Sequence, residues 1–134
     1  MGGIGTLMPD YIRRTAVTIF MIGCMLQSSV TFADIRAEML NDARLLVQKK
    51  EYEKALEIYS EIGYYLKRDP GLVIEWARVL AYAGKHKEAI ELLEDVLLKH
   101  PERERDLIAD LAEQYKWDGQ YGKAVEAYKK ALEY

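Results

Sequence analysis

The sequence predicts an all-α fold built from antiparallel helix pairs that stack side by side. Residues 70–101 contain two apolar sets at helical spacing, separated by the turn residues Gly84 and Lys85. The first set is Val73, Trp76, Ala77, Leu80 and Ala81, and the second is Ala89, Leu92, Leu93, Val96 and Leu97. Isolated helices shorter than about 12–15 residues are marginal in water. This helical hairpin therefore needs neighbours, and the same pattern occurs on both sides of it.

The pattern repeats along the chain, since Ala55 lies 34 residues before Ala89 and Ala124 lies 35 residues after it. Small residues at these positions permit the close approach that helix crossings require. The other equivalent positions are the small first-helix residue (Ala43, Ala77, Ala112), the large residue three later (Leu46, Leu80, Tyr115), the turn residue (Lys50, Gly84, Gly119), the ring after it (Tyr52, His86, Tyr121) and the large second-helix residue (Tyr59, Leu93, Tyr128).

This period and these residue types resemble the tetratricopeptide repeat (TPR), in three copies at about residues 36–69, 70–104 and 105–134. The resemblance implies a TPR solenoid over residues 34–134, a right-handed superhelical stack of helix pairs. The chain departs from the family pattern at the Trp often found early in the first helix. Met39, Val73 and Ile108 stand there instead, and all three are apolar.

Start and stop signals place the individual helices. The predicted ranges are about 34–49, 53–67, two helices within 70–101, 106–117 and 121–134. Asp69 is expected to cap the third helix, with Pro70 as its first residue. Gly63 lies inside the second predicted helix, where it costs about 1 kcal/mol relative to Ala.

Residues 1–33 differ from the repeats. Arg13 and Arg14 precede an uncharged core of 12 residues, 15–26, and then a polar stretch that ends in Ala33. This order is typical of a secretory signal peptide cleaved after Ala33, and the core is shorter than the roughly 20 residues that span a bilayer. We expect secretion across a bacterial inner membrane into the periplasm, with no membrane span in the mature chain. Outer-membrane association is the alternative location.

Cys24 is the only cysteine of the chain. Because it follows residues 21–23 (Met-Ile-Gly), it resembles a bacterial lipobox, in which the cysteine becomes the acylated first residue of the mature protein. The competing interpretation is an apolar residue within the signal core, since Met25 and Leu26 extend the run and cleavage after Ala33 would remove it. A lipid-anchored adaptor is therefore the alternative to a soluble mature chain.

The sequence contains none of the motifs that usually carry catalysis. It has no nucleophile motif, no Gly-rich phosphate loop and no HExxH, and its two histidines fit structural roles, His86 at the repeated ring position and His100 at a helix end. We expect no catalytic, metal or cofactor site, and an enzyme stays the least favoured hypothesis. The net charge of −3 gives no general attraction to nucleic acid.

The first helices of such a solenoid line its concave face, which carries most partner contacts. Carried over from the family, the lining is Leu40, Arg44, Val47 and Gln48 in the first copy, Ile74, Arg78, Ala81 and Tyr82 in the second, and Ala109, Glu113, Lys116 and Trp117 in the third. Arginines beside exposed rings suit an extended peptide, an acidic segment or a polysaccharide chain. The alternative is that the arginines pair with carboxylates of adjacent helices and that the rings pack between repeats.

Residues 76–85 and 115–120, behind a signal peptide, resemble the repeats that precede the β-barrel of bacterial outer-membrane exopolysaccharide-export proteins. The resemblance implies a cell-envelope scaffold for protein binding in polysaccharide export or modification. Since no barrel follows, the chain would be a fragment or a stand-alone relative.

The last predicted helix ends the repeat pattern without a polar capping helix. We expect an exposed apolar stripe on it that supports self-association, formed by Ala124, Ala127, Tyr128, Ala131 and Tyr134.

Overall fold

The computed structural model describes residues 31–134, and every regular element in that part of the chain is a helix. The all-α prediction is therefore confirmed for these residues. The chain divides into two units, and the second, Arg36–Tyr134, holds the helix pairs. The elements are α1 (Phe32–Gln48), α2 (Tyr52–Glu61), α3 (Gly63–Leu66), α4 (Pro70–Tyr82), α5 (His86–Lys99), a 3-10 turn (Pro101–Arg103), α6 (Glu104–Trp117) and α7 (Tyr121–Ala131). Nearly all of the predicted leader, with Cys24, lies outside the described residues.

The three turns within the helix pairs have the same geometry. Lys50, Gly84 and Gly119 all adopt a positive φ, of 61°, 78° and 79°. In each turn this residue donates its N–H to the carbonyl three residues back, and the next residue donates to the carbonyl five residues back, at 2.8–3.2 Å. These two bonds form the Schellman motif that ends many helices. The predicted equivalence of the three turn residues is confirmed.

Lys50 is the one turn residue of the three with a side chain, and this gives a stability prediction. We expect Lys50→Gly to raise the free energy of unfolding by about 0.5–1 kcal/mol. The left-handed conformation costs a residue with a Cβ about 1–2 kcal/mol, and glycine removes this cost. Glycine also increases the entropy of the unfolded chain, which cancels part of the gain. Urea unfolding measures the change. Gly84→Ala is the matched control and should be destabilising by about 1 kcal/mol. A less stable Lys50→Gly protein would contradict the proposed source of strain.

The small residues of the repeat lie in the core of the second unit. Their exposed fractions are at most 3%, for Ala43, Ala55, Ala77, Ala89, Ala112 and Ala124. Within pairs α4 packs on α5 and α6 packs on α7, while α2 with α4 and α5 with α6 join successive pairs. Each second helix is thus covered by the first helix of the next pair, as far as the described chain provides one.

The prediction of one helix over 53–67 is wrong. The helix is interrupted at Ile62, whose φ of −92° and ψ of 6° separate α2 from α3. Gly63 follows the break and lies against the indole of Trp76 in α4, so closely that a Cβ on residue 63 would be 2.9 Å from Cη2 of Trp76. The absent side chain at position 63 is therefore a packing requirement of the Trp76 ring.

Other helix ends differ from the prediction by two or three residues. The first helix begins at Phe32, before the predicted Asp34, because Thr31 caps it. The Thr31 N–H donates to the Asp34 carboxylate at 2.9 Å and the Asp34 N–H donates to the Thr31 hydroxyl at 3.2 Å, which is the reciprocal pattern of a capping box. Hydrogen bonds from Thr31 lower the pKa of Asp34.

The start of the third predicted helix is confirmed, and the last two helices need small corrections. The Asp69 carboxylate accepts from the Gly71 N–H at 2.8 Å, so Asp69 caps α4 with Pro70 as its first residue. Helix α6 begins at Glu104 after the 3-10 turn, rather than at 106, and α7 ends at Ala131, rather than at 134.

The predicted apolar stripe on the last helix is wrong in two of its members. Ala124 and Ala127 are 3% and 6% exposed, because α7 turns this side toward α6. The large apolar side chains that α7 and its end expose are Tyr121, Val125, Leu132 and Tyr134. Of these four, only Tyr134 belongs to the predicted stripe.

Candidate functional site

The first helices of the three pairs line two adjoining clefts in the second unit, with volumes of about 270 and 450 Å³ that share Arg78 and Tyr82. Eight of the twelve predicted lining residues line them, Val47 and Ala81 among them. The other six have polar or aromatic side chains, and we call these six the first-helix groove: Arg44, Gln48, Arg78, Tyr82, Glu113 and Trp117. Of the other four, Lys116 lies beside the groove, with its ammonium 2.8 Å from the Glu113 carboxylate. Leu40 and Ala109 line neither cleft, and the prediction for Ile74 is wrong, because this residue is buried in the core. The structure therefore places eight of the predicted residues along two clefts that adjoin each other.

Each arginine of the groove binds a carboxylate on the first helix of the following pair. Arg44 donates to Glu75 through Nε and a terminal nitrogen at 2.8 and 2.7 Å. Arg78 repeats the contact with Asp110 at 3.0 and 2.9 Å. The pairing proposed as an alternative in the sequence analysis thus describes both arginines. Because the side chains stay partly exposed, each ion pair contributes little to stability but holds its guanidinium in place.

A buried tyrosine supports the first of these pairs. The Tyr59 hydroxyl donates to Glu75 at 2.6 Å, and its ring is fully buried. Hydrogen bonds from Arg44, and to a smaller extent from Tyr59, hold the pKa of Glu75 below its ordinary value although burial opposes them. Burial and the bond to Glu75 raise the pKa of Tyr59. Sequence reasoning missed Glu75 and Asp110, although the two acids share one repeat position.

The lowered pKa of Glu75 predicts acid sensitivity. A carboxyl group with a depressed folded-state pKa stabilises the fold above its ordinary value of 4.5, and this contribution is lost as pH falls through the folded-state pKa. We expect Glu75→Gln to lose less stability than the unaltered chain between about pH 6 and pH 3. Urea unfolding at both pH values measures the difference, and equal losses would show that Glu75 does not contribute.

Two exposed rings lie beside the arginines and each contacts a ring of the preceding pair. Tyr82 is 62% exposed and lies 5.7 Å from the Tyr52 ring, centroid to centroid. Trp117 is 64% exposed and stacks on His86 at 6.0 Å with an interplanar angle of 18°. His86 also bonds to the Gln114 side-chain oxygen through Nδ1 at 2.8 Å. Each ring contact is the repeat equivalent of the other, and each leaves most of the Tyr82 or Trp117 surface open.

The charges around the groove balance locally. Each of the three cations forms a salt bridge with one of three anions: Arg44 with Glu75, Arg78 with Asp110, and Lys116 with Glu113. Hydrogen bonds from Lys116 and Tyr128 lower the pKa of Glu113. An acidic ligand would therefore have to displace a carboxylate that is already bound. The exposed rings of Tyr82 and Trp117 and the exposed amide of Gln48 are not engaged in such ion pairs and are open to a ligand.

Comparison with known proteins adds no family to this description. No protein-family model matches the chain, and no curated protein was found as a relative.

Over residues 31–134 no three His, Cys, Asp or Glu side chains are grouped so that they could hold a metal ion. No helix in this part of the chain has the length and apolar character needed to cross a membrane. The feature of the described residues that bears on function is therefore the internal repetition of their contacts.

Proposed function

We propose that residues 34–134 form a three-copy TPR solenoid and that the protein is a non-catalytic interaction scaffold of the bacterial cell envelope. Its first-helix groove would bind an extended peptide of a partner protein. The observation that carries this proposal is the repeated pair of contacts: an Arg–carboxylate pair and a ring contact occur twice, one repeat apart. An extended peptide can contact both of these groups of residues, because the peptide's backbone groups recur at regular spacing.

The accessible groups favour a peptide over an acidic ligand. Tyr82 and Trp117 offer large open ring surfaces, and Tyr and Trp are the commonest anchors of protein interfaces. Gln48 lines one of the clefts and is exposed, so its amide can donate to and accept from a peptide backbone. A polysaccharide chain is the second candidate ligand, since ring faces also stack on sugars. It would match the predicted role in polysaccharide export or modification.

The proposal predicts that Trp117→Ala weakens partner binding by more than about 1 kcal/mol. The full chain serves as bait to capture the partner from envelope extract, and titration calorimetry then compares the variants. Because Trp117 is largely exposed, helicity should not change. Leu98→Ala is the matched control, since Leu98 is 82% exposed on α5 and lines neither cleft. Unchanged affinity in Trp117→Ala would contradict the groove assignment.

The envelope location is proposed from residues 1–33. Cleavage after Ala33 would give a soluble periplasmic chain, whereas acylation of Cys24 would give a lipid-anchored adaptor. A chain that forms part of a longer outer-membrane protein is the third possibility. The mass of the protein recovered from soluble and membrane fractions separates these outcomes, because an acylated chain keeps residues 24–33 and a lipid.

A further inference from the structure

The outer face of α7 is exposed where the equivalent faces of the earlier repeats are buried. Val125 is 51% exposed, whereas its repeat equivalents Leu56 and Ile90 are 6% and 4% exposed. Leu132 is 88% exposed, whereas its equivalent Leu97 is packed against the core. We define the α7 face by Tyr121, Val125, Tyr128 and Leu132, which follow at intervals of four, three and four residues and so lie on one side of the helix.

In the first two repeats, the equivalent face is covered by a helix of the chain itself. Helix α4 packs on α2 and α6 packs on α5. In α4, Trp76 and Val79 line the same clefts as Leu56 and Tyr59 of α2. The covering residues recur at positions i, i+4 and i+7, as Leu72, Trp76 and Val79 in α4 and as Leu107, Leu111 and Gln114 in α6. An amphipathic helix is therefore the shape that fits this face.

The charge at the edge of the α7 face is reversed relative to the first two repeats. Arg44 and Arg78 each bind an acid of the covering helix, at position i+3 of the same pattern. In the third repeat the residue at the position of Arg44 and Arg78 is Glu113, which instead binds Lys116 and Tyr128 within its own repeat. The Glu113 side chain is 47% exposed, and a carboxylate has about four acceptor sites. It can therefore accept a further bond from a cation.

We propose that the α7 face docks an amphipathic helix of a partner protein that carries Lys or Arg where α4 has Glu75 and α6 has Asp110. The partner helix has apolar residues at i, i+4 and i+7 and the basic residue at i+3. An acid at i+3 would approach Glu113, and two like charges held together are unfavourable. The site shares Glu113 with the first-helix groove, but its apolar contacts lie on α7, outside the groove.

A second copy of this chain fits the α7 face poorly. In α1 the positions equivalent to Leu72 and Trp76 are Glu38 and Asp42. A head-to-tail dimer would bury these two acids against the apolar α7 face, and the neutral Asn41 would stand where α4 has Glu75. Helix α7 itself has no basic residue three positions after Tyr121 or Val125. The charge pattern therefore favours a basic helix from another protein over the self-association expected from the sequence.

Two synthetic peptides test the proposal directly. Both span residues 101–118, which include α6, and one carries Asp110→Lys. Labelled peptides are titrated with the full chain by fluorescence anisotropy. The Asp110→Lys peptide should bind about tenfold more tightly than the unchanged peptide. With the chain variant Glu113→Arg, which restores the residue type of the first two repeats, the preference should reverse.

Two further chain variants separate docking on α7 from other contacts. Val125→Lys should abolish binding of both peptides, and Leu98→Lys, a change at an exposed residue of α5, should leave binding unchanged. Equal affinities of the two peptides, or binding that survives Val125→Lys, would overturn the proposal. Sedimentation that shows a dimer of the full chain, removed by Val125→Lys, would also overturn it and place a second copy on this face. The results for Val125→Lys and Leu98→Lys do not depend on whether the groove binds a peptide, since neither residue lines it.

Discussion

Replacing Ala89 by Leu is expected to lower the free energy of unfolding by about 1–3 kcal/mol. Ala89 is fully buried in α5, which packs on α4, where Ala77 is 1% exposed. Three additional carbon atoms cannot be placed between two helices in such close contact without displacing one of them. Ala77→Leu should have an effect of the same size, because it fills the same crossing from the other helix.

Glu91→Ala is the control for this change, since Glu91 is exposed on the same helix. Its effect should stay within about 0.5 kcal/mol. Guanidinium unfolding of the three variants gives the comparison. Equal effects of Ala89→Leu and Glu91→Ala would mean that the assigned repeat register is wrong.

The repeat period made the backbone largely predictable. A turn with a positive φ recurs where the sequence has Lys50, Gly84 and Gly119, and internal comparison identifies Lys50 although a lysine alone predicts no such conformation. The Asp69 cap followed by Pro70 is a local signal that does not depend on tertiary structure. Features set by local geometry and repetition could therefore be predicted from the sequence.

Features set by contacts between repeats could not be predicted in the same way. The break at Ile62 lies beside the contact between Gly63 and Trp76, and nothing local to residues 53–67 indicates that contact. Similarly, Ala127 and Val125 lie on nearly opposite sides of α7, and the position of α6 decides that Ala127 is covered while Val125 is exposed. Periodicity finds the apolar residues of a helix, but the neighbouring helix decides which of them are covered.

The groove residues were found through the family resemblance, and their chemistry was only partly anticipated. The sequence placed Arg44 and Arg78 at one repeat position and left two interpretations open, a ligand contact and a contact with adjacent helices. The structure shows the second contact for both arginines. The matching acids, Glu75 and Asp110, also share a repeat position. A search for pairs of positions with complementary charge in every repeat could have found them.

Gly63→Leu is expected to lower the free energy of unfolding by about 3 kcal/mol, the upper end of the usual range for overpacking. A Cβ alone on residue 63 would lie 2.9 Å from Cη2 and 3.1 Å from Cζ3 of Trp76, so the indole would have to shift from its contact with α2. The equivalent residues in the next repeat interface are Leu97 and Leu111. One interface thus combines the smallest residue with the largest, and the other combines two of intermediate size.

Because the two interfaces divide the same volume differently, a second substitution at Trp76 is expected to restore the stability that Gly63→Leu removes. Trp76→Leu alone should destabilise the chain by leaving a cavity beside Gly63. The double variant of Gly63→Leu and Trp76→Leu reproduces the residue types of the second interface, so its stability should be within about 1 kcal/mol of the unaltered chain. A double-mutant cycle by urea unfolding measures the coupling, which should far exceed the roughly 0.5 kcal/mol seen for independent sites. Additive losses would instead show that the two interfaces are not equivalent, and the repeat alignment of residue 63 with residue 97 would have to be abandoned.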